Sequence, residues 1–260
     1  MSARVPEISR SSLIPMPTKS STPKNEPTVL RSHQVPGSNN RGERYLPPTF
    51  NRRVRRFLAK HKIKSLIARG QERYLIISGP PGVGKTSGFL VAASELGFGV
   101  VIVSAAELAG DTEGAANRAF RAALADAEVI SRLCGYPVVV LIDDMDLSIA
   151  GPDDGRTERT INSHLLMQDI QWLADNPLKY TTCLGGPVPV VFTGNDSRYR
   201  PSLFRDGRAD RFTYEPTPDE QREIIERVFK PKTTAETWTV RAIARAYSHK
   251  PVSFFCGAQI

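Results

Sequence analysis

No stretch of this chain constrains its fold as tightly as Gly79-Pro80-Pro81-Gly82-Val83-Gly84-Lys85-Thr86. The spacing G-x-x-x-x-G-K-[ST] is that of a loop that wraps phosphate groups. Tyr74-Leu75-Ile76-Ile77-Ser78 before it is a short apolar run bounded by glycine, the pattern of a buried strand. Residues 87–96 after it can continue as a helix. The motif therefore sits between strand and helix, the context it needs. A Gly/Pro turn without function is the alternative, and both flanks argue against it.

The residue types follow from the chemistry. Glycines let backbone N–H groups approach phosphate oxygens without side-chain obstruction. The following helix aims its positive end at the same anion. Lys85 is placed to reach the β- and γ-phosphates, and Thr86 to give its hydroxyl to Mg²⁺. The nucleotide-binding set is thus Gly79, Pro80, Pro81, Gly82, Val83, Gly84, Lys85, Thr86 and Ser87.

At 260 residues the chain has room for one large domain or two small ones. No apolar run reaches the ~18 residues of a membrane helix. Cys134, Cys183 and Cys256 are odd in number and scattered, with neither metal spacing nor a disulfide framework. A reducing compartment, the cytoplasm, is the expectation. The net charge of +8 is unevenly spread: residues 1–60 hold 12 Lys/Arg against 3 Asp/Glu, and residues 61–260 hold 23 against 24. Any argument from charge to nucleic acid concerns the leading segment alone.

Residues 1–44 are rich in Ser, Pro, Asn and Thr and lack a period of 3.6 or 2, which predicts a disordered basic tail. A solvated tail, an organelle transit peptide (which would place the chain in the plastid stroma) and an arm for an acidic partner or nucleic acid all remain open. A helix is expected from about 51 to 68, with Val54, Phe57 and Leu58 on one face. Arg52, Arg53, Arg55 and Arg56 on the others form either a solvated face or a phosphate- or partner-facing patch.

From Tyr74 onward strands and helices alternate. Strands are expected at 100–103, 137–142, 187–193 and, at an edge, 211–214; helices at 105–109, 114–133 and about 157–174. This alternation implies a parallel sheet covered on both faces. Asp219 can cap a helix running to Phe229, and 238–247 reads as another. The domain expectation is a tail at 1–44, an α/β nucleotide-binding domain at 45–216 and a partial helical lid at 217–260.

The strand at 138–142 runs into Asp143-Asp144. Four or more apolar residues followed by two acids is the second signature of a nucleotide site. Asp143 would hold Mg²⁺ through its water shell, and Asp144 could orient and deprotonate an attacking water. Asp146 is a structural cap or a further carboxylate. The strand at 190–193 leads to Asn195, beside the strand of Asp143, where it can touch both the γ-phosphate and the water. Arg205, Arg208 and Arg211 then surround Gly207, and arginine suits charge developing on a transferred phosphoryl group.

Together, residues 79–86, Asp143-Asp144, Asn195, and Arg208 with Arg211 resemble an AAA+ ATPase. Trp172-Leu173-Ala174-Asp175-Asn176-Pro177, residues 188–196, 203–208, 104–108 and 160–162, and Ser253-Phe254-Phe255 are similar to the Rubisco activase branch. The resemblance covers roughly 45–260. It implies the fold class α/β: a P-loop AAA+ parallel sheet sandwiched by helices, with a short C-terminal helical lid and a disordered N-terminal tail. It also implies a hexameric ring using ATP and Mg²⁺, in which Arg208, and Arg211 with it, enter the next subunit's site as fingers. The expected activity is ATP-driven remodelling of a protein client, with Rubisco and its tight-binding sugar phosphates as the activase-like case.

Gly110-Asp111-Thr112-Glu113-Gly114 falls where such rings place a central-pore loop; it carries no aromatic, and a plain connector is the alternative. Asp143 follows the general AAA+ pattern, where activases commonly show Asn, and Asp144 replaces the usual Glu, as in activases. The lid arginine that reads the γ-phosphate would be expected beyond Ile260. Two other function classes stay open: a nucleic-acid-associated ATP switch such as a helicase loader, and a nucleotide-binding adaptor without turnover.

Overall fold

The computed structural model describes residues 31–38, 45–69, 72–104, 107–108, 112–145, 161–195 and 208–257. Their elements, in order, are β1 (His33–Gln34), α1 (Pro48–Lys60), α2 (Lys64–Ile67), β2 (Tyr74–Ser78), α3 (Lys85–Glu95), β3 (Gly99–Ser104), α4 (Ala115–Cys134), β4 (Val138–Asp143), α5 (Ile161–Asp175), β5 (Val190–Gly194), β6 (Ala209–Thr213), α6 (Pro218–Phe229), α7 (Thr234–Ala246) and α8 (Val252–Gly257). The strands form one sheet in the order β1-β3-β4-β5-β2-β6. Every neighbouring pair is parallel except β1 with β3. This is the α/β fold expected from the alternation.

The apolar runs are explained by burial on both faces of the sheet. Along β2 the side chains alternate between two cores. Tyr74 and Ile76 join the layer under α4 and α5. Leu75 and Ile77 join the layer under α1 and α3, with Phe50, Phe57 and Phe89. A third, small cluster of Ile225, Val240, Ala244 and Phe255 holds the last three helices together. No described helix is long and apolar enough to cross a membrane.

Four expectations are corrected. Residues 31–38 belong to the fold rather than to a tail: His33 and Gln34 pair with Val101 and Val100 along the edge of β3. His33 Nε2 lies 2.9 Å from the Tyr136 hydroxyl, Gln34 donates to the Leu90 carbonyl, and Arg31 pairs with Glu107. This short strand covers an edge that would otherwise present unpaired backbone. Two polar residues carry no period, so no local pattern announces the strand.

The helix expected from 51 to 68 is two helices, broken after Lys60. At the break His61 is buried, packs at a tilt against the Phe57 ring and lies 3.1 Å through Nδ1 from the Phe57 carbonyl. Burial pushes its pKa down to about 4, so the ring is neutral. The cap of α6 is Thr217, not Asp219. Its hydroxyl accepts from Glu220 N–H at 3.2 Å while the Glu220 carboxylate accepts from Thr217 N–H at 3.1 Å, a reciprocal capping box. Finally, α7 begins four residues before the expected Trp238, where the Thr233 hydroxyl accepts from Glu236 N–H.

Candidate functional site

Parallel strands gather the polar residues at one end of the sheet. β2 delivers the phosphate loop, β4 delivers Asp143 and Asp144, and β5 delivers Asn195, with β5 lying between the other two. The carboxyl ends of parallel strands are where such folds bind ligands.

The loop's shape depends on two glycines in particular. Gly79 has φ +150°, and a Cβ there would lie 2.0 Å from the Tyr214 carbonyl oxygen, so the loop is pressed against the chain leaving β6. Gly82, at φ +73°, faces the lid: Ser253 N–H donates to its carbonyl at 3.0 Å, and a Cβ would lie 2.2 Å from Ser253 Oγ. Gly84 enters α3 in the left-handed region and its carbonyl accepts from Gly88 N–H and the Ser87 hydroxyl. Val83 is buried in the α1–α3 core and fixes the loop from beneath.

Lys85 is the first residue of α3 and is buried. Its ammonium donates to the Gly79 carbonyl at 2.9 Å, the Pro80 carbonyl at 2.8 Å and Asn195 Oδ1 at 3.0 Å. Pro81 completes the turn between Pro80 and Gly82. The Thr86 hydroxyl donates to Asp143 Oδ1 at 2.6 Å, and Thr193 donates to the same oxygen. A hydroxyl and a carboxylate converging from two elements form the hard oxygen set that Mg²⁺ prefers. Asp144 is exposed at φ +54°, a conformation uncommon for a side-chain-bearing residue, and its N–H donates to Thr193 Oγ1 at 3.4 Å. The turn carries its carboxylate out of the strand line, and strain of this kind concentrates at working sites.

Arg208 and Arg211 are elsewhere. Arg208 stands just before β6, whose Ala209 pairs with Tyr74 at the start of β2. Six residue steps along the sheet, about 20 Å, separate it from its own phosphate loop, too far for one side chain. Its Nη2 donates to both oxygens of Asp175, at 2.7 and 2.8 Å. Arg211 is exposed on the edge strand. Asp146, Arg205, Gly110 and Asp111 lie outside the described residues.

Three features of the site were not anticipated from the sequence. Thr193 is buried and joins Asp143 to the backbone of Asp144; a hydroxyl at the end of a strand beside the acidic one was its only signal. Ser253 touches the loop across more than 160 residues of chain, and no local pattern announces that. Beside the start of α3 lies a cavity of about 450 Å³, walled by Tyr45, Phe50, Ser87, Tyr214, Arg227 and Val252. Burial raises both tyrosines, Tyr45 to about 12 with help from Glu223, so both hydroxyls stay protonated.

The geometry defines a phosphate-loop nucleotide site on a parallel sheet with a helical lid. Residues 75–217 match the ATPase family associated with various cellular activities (AAA). That span is more than half of the chain, and the chain belongs to this family of ATPases. Among curated proteins it resembles ribulose bisphosphate carboxylase/oxygenase activases. It is 29% identical over 187 residues to that of Anabaena sp. (69% of this chain, 44% of the relative) and 31% over 161 residues to that of Nostoc sp. (59% and 38%). Against the chloroplastic activase of Solanum pennellii it is 26% identical over 224 residues (81% and 47%). The chain spans about half the length of these relatives, or less.

Proposed function

We propose that this ATPase turns over MgATP at seams between copies, in a ring that is a hexamer by analogy with its class, and spends the cycle on remodelling a protein client. The observation that carries this reading is the separation of its two halves: phosphate loop and acids at one end of the sheet, Arg208 at the other.

In this reading the loop N–H groups and Lys85 hold the phosphates, and the cavity beside α3 takes the base and ribose. Lys85 turns from the Gly79 and Pro80 carbonyls to the β- and γ-phosphates. Thr86 and Asp143 would hold Mg²⁺, which supplies charge neutralisation across the two terminal phosphates. Asn195 orients the attacking water, and the Asp144 carboxylate accepts its proton. Arg208 and Arg211 of the adjoining copy stabilise charge on the transferred phosphoryl group. Hydrolysis is the expected outcome because acid, water-orienting amide and finger are all represented, which a binding-only adaptor does not need.

The activase relatives suggest the client: Rubisco locked by a tight-binding sugar phosphate. The test is phosphate release together with recovery of carboxylation by such an inhibited Rubisco. Carboxylation recovering only with ATP and wild-type chain supports the reading; phosphate release without recovery leaves an ATPase with a different client. A nucleic-acid client is less favoured. Of the four arginines on α1, Arg53 pairs with Asp210 at 3.7 Å and Arg55 with Glu95 at 3.4 Å, so part of that basic face is engaged within the fold.

A further inference from the structure

The ion pair between Asp175 and Arg208 lies apart from the phosphate end, and three of its features point to a task. Asp175 is the last residue of α5, where the helix dipole favours a cation and disfavours a carboxylate. A residue serving helix stability there would be neutral or basic. The pair is also open to solvent, with side chains 26% and 57% exposed for Arg208 and Asp175, and such pairs add little to folding stability. Lastly, both carboxylate oxygens accept from the same nitrogen, Nη2. Nε and Nη1 make no hydrogen bond among the described residues. The guanidinium is thus fixed at one corner and keeps the rest of its donors.

Asp175 itself stands on a rigid mount. The next residue, Asn176, donates to the Trp172 carbonyl through both its backbone N–H and Nδ2. Behind it the buried Arg73 guanidinium gathers the carbonyls of Val188, Leu173, Pro177 and Tyr180. Arg73 directly precedes β2, so the seat of Asp175 is tied to the strand that carries the phosphate loop.

We propose that Asp175 is a positioning residue for Arg208: it presets the guanidinium so that Nε and Nη1 enter the phosphate site of an adjoining copy. This rests on the seam reading of the proposed function. An unheld arginine must be ordered at each encounter, and the carboxylate removes that loss of rotamer freedom beforehand.

The test is steady-state phosphate release against ATP concentration for Asp175→Asn, Asp175→Glu, Arg208→Ala and the Asp175→Asn/Arg208→Ala double variant. Asp175→Asn is expected to lower kcat by about tenfold with little change in KM, because its own binding end is untouched. Asp175→Glu, which keeps the carboxylate, should recover part of that loss. The double variant should match Arg208→Ala alone, since the aspartate acts only through the arginine. Mixing Asp175→Asn with Asp144→Asn chains should restore turnover, because the first then receives intact fingers. Thermal unfolding of Asp175→Asn should be unchanged or later, the α5 terminus having lost a badly placed charge. Wild-type or raised kcat in Asp175→Asn, a double variant slower than Arg208→Ala, or no recovery on mixing overturns the positioning role. Wild-type turnover in Arg208→Ala would instead sink the seam reading itself, so the two failures are told apart.

Discussion

At the phosphate end of the sheet, position is set by backbone. Gly79 is pressed on the Tyr214 carbonyl, Gly82 on Ser253, and Lys85 is held by two carbonyls of its own loop. At the opposite end, the Arg208 guanidinium is set by a side chain, through one exposed carboxylate. The first arrangement tolerates almost no change in residue type. The second is adjustable, which suits a group that must meet another molecule. On the proposed seam reading, a site divided in this way is inactive in a lone chain and is completed only when a second copy arrives.

The comparison breaks most readily at the phosphate end. Lys85→Ala should abolish nucleotide binding and turnover together, read by equilibrium binding of a fluorescent ATP analogue and by phosphate release; tight binding that persists would remove the lysine from its role. Arg208→Ala, at the other end, should leave that binding intact and cut turnover by ~10³ or more. Equal losses of binding in both variants would erase the distinction between the ends. Gly79→Ala tests the backbone claim: its Cβ cannot coexist with the Tyr214 carbonyl, so denaturant unfolding should show a loss of several kcal/mol, on the order of the largest single-residue effects. A near-neutral result would mean that β6 and the loop are not locked together.

A smaller effect comes from the buried ring behind α1. His61 has a pKa of about 4 in the folded chain and an ordinary value near 6.5 once unfolded. Above pH 6.5 both states are neutral and the ring costs nothing. As pH falls from 6.5 to 4 the unfolded chain gains a proton that the folded one refuses, and stability declines by up to about 3 kcal/mol. His61→Leu should flatten that part of the urea-midpoint profile; an unchanged slope would assign it to other groups. Smallest is the edge clasp: Tyr136→Phe removes one hydrogen bond to His33 and should cost about 1 kcal/mol, with no change in turnover.

What could be read in the sequence follows from how local each feature is. The phosphate loop, Asp143-Asp144 and the strand of Asn195 are contiguous patterns whose meaning lies in spacing, and the sheet places them side by side as expected. The edge strand at His33 was not legible, because its stability comes from partners nearly seventy residues away rather than from its own pattern. Thr217 was hidden behind Asp219, since both are capping types and only the Glu220 reciprocity selects between them. Ser253 over Gly82, the Tyr45–Val252 cavity and the grip of Asp175 on Arg208 are each products of tertiary approach. The arginine was visible as a residue type; what holds it was not.

The division of the site between copies is tested most directly by mixing two inactive chains, Arg208→Ala and Asp144→Asn. Each lacks what the other has: the first keeps the cradle and the acids, the second keeps the finger. Random assembly should complete roughly a quarter of the seams, so turnover should return on mixing and fade again on dilution. If the mixture stays as inactive as its parts while forming the same assemblies, each chain must complete its own site, and a hydrolytic centre shared between copies is refuted.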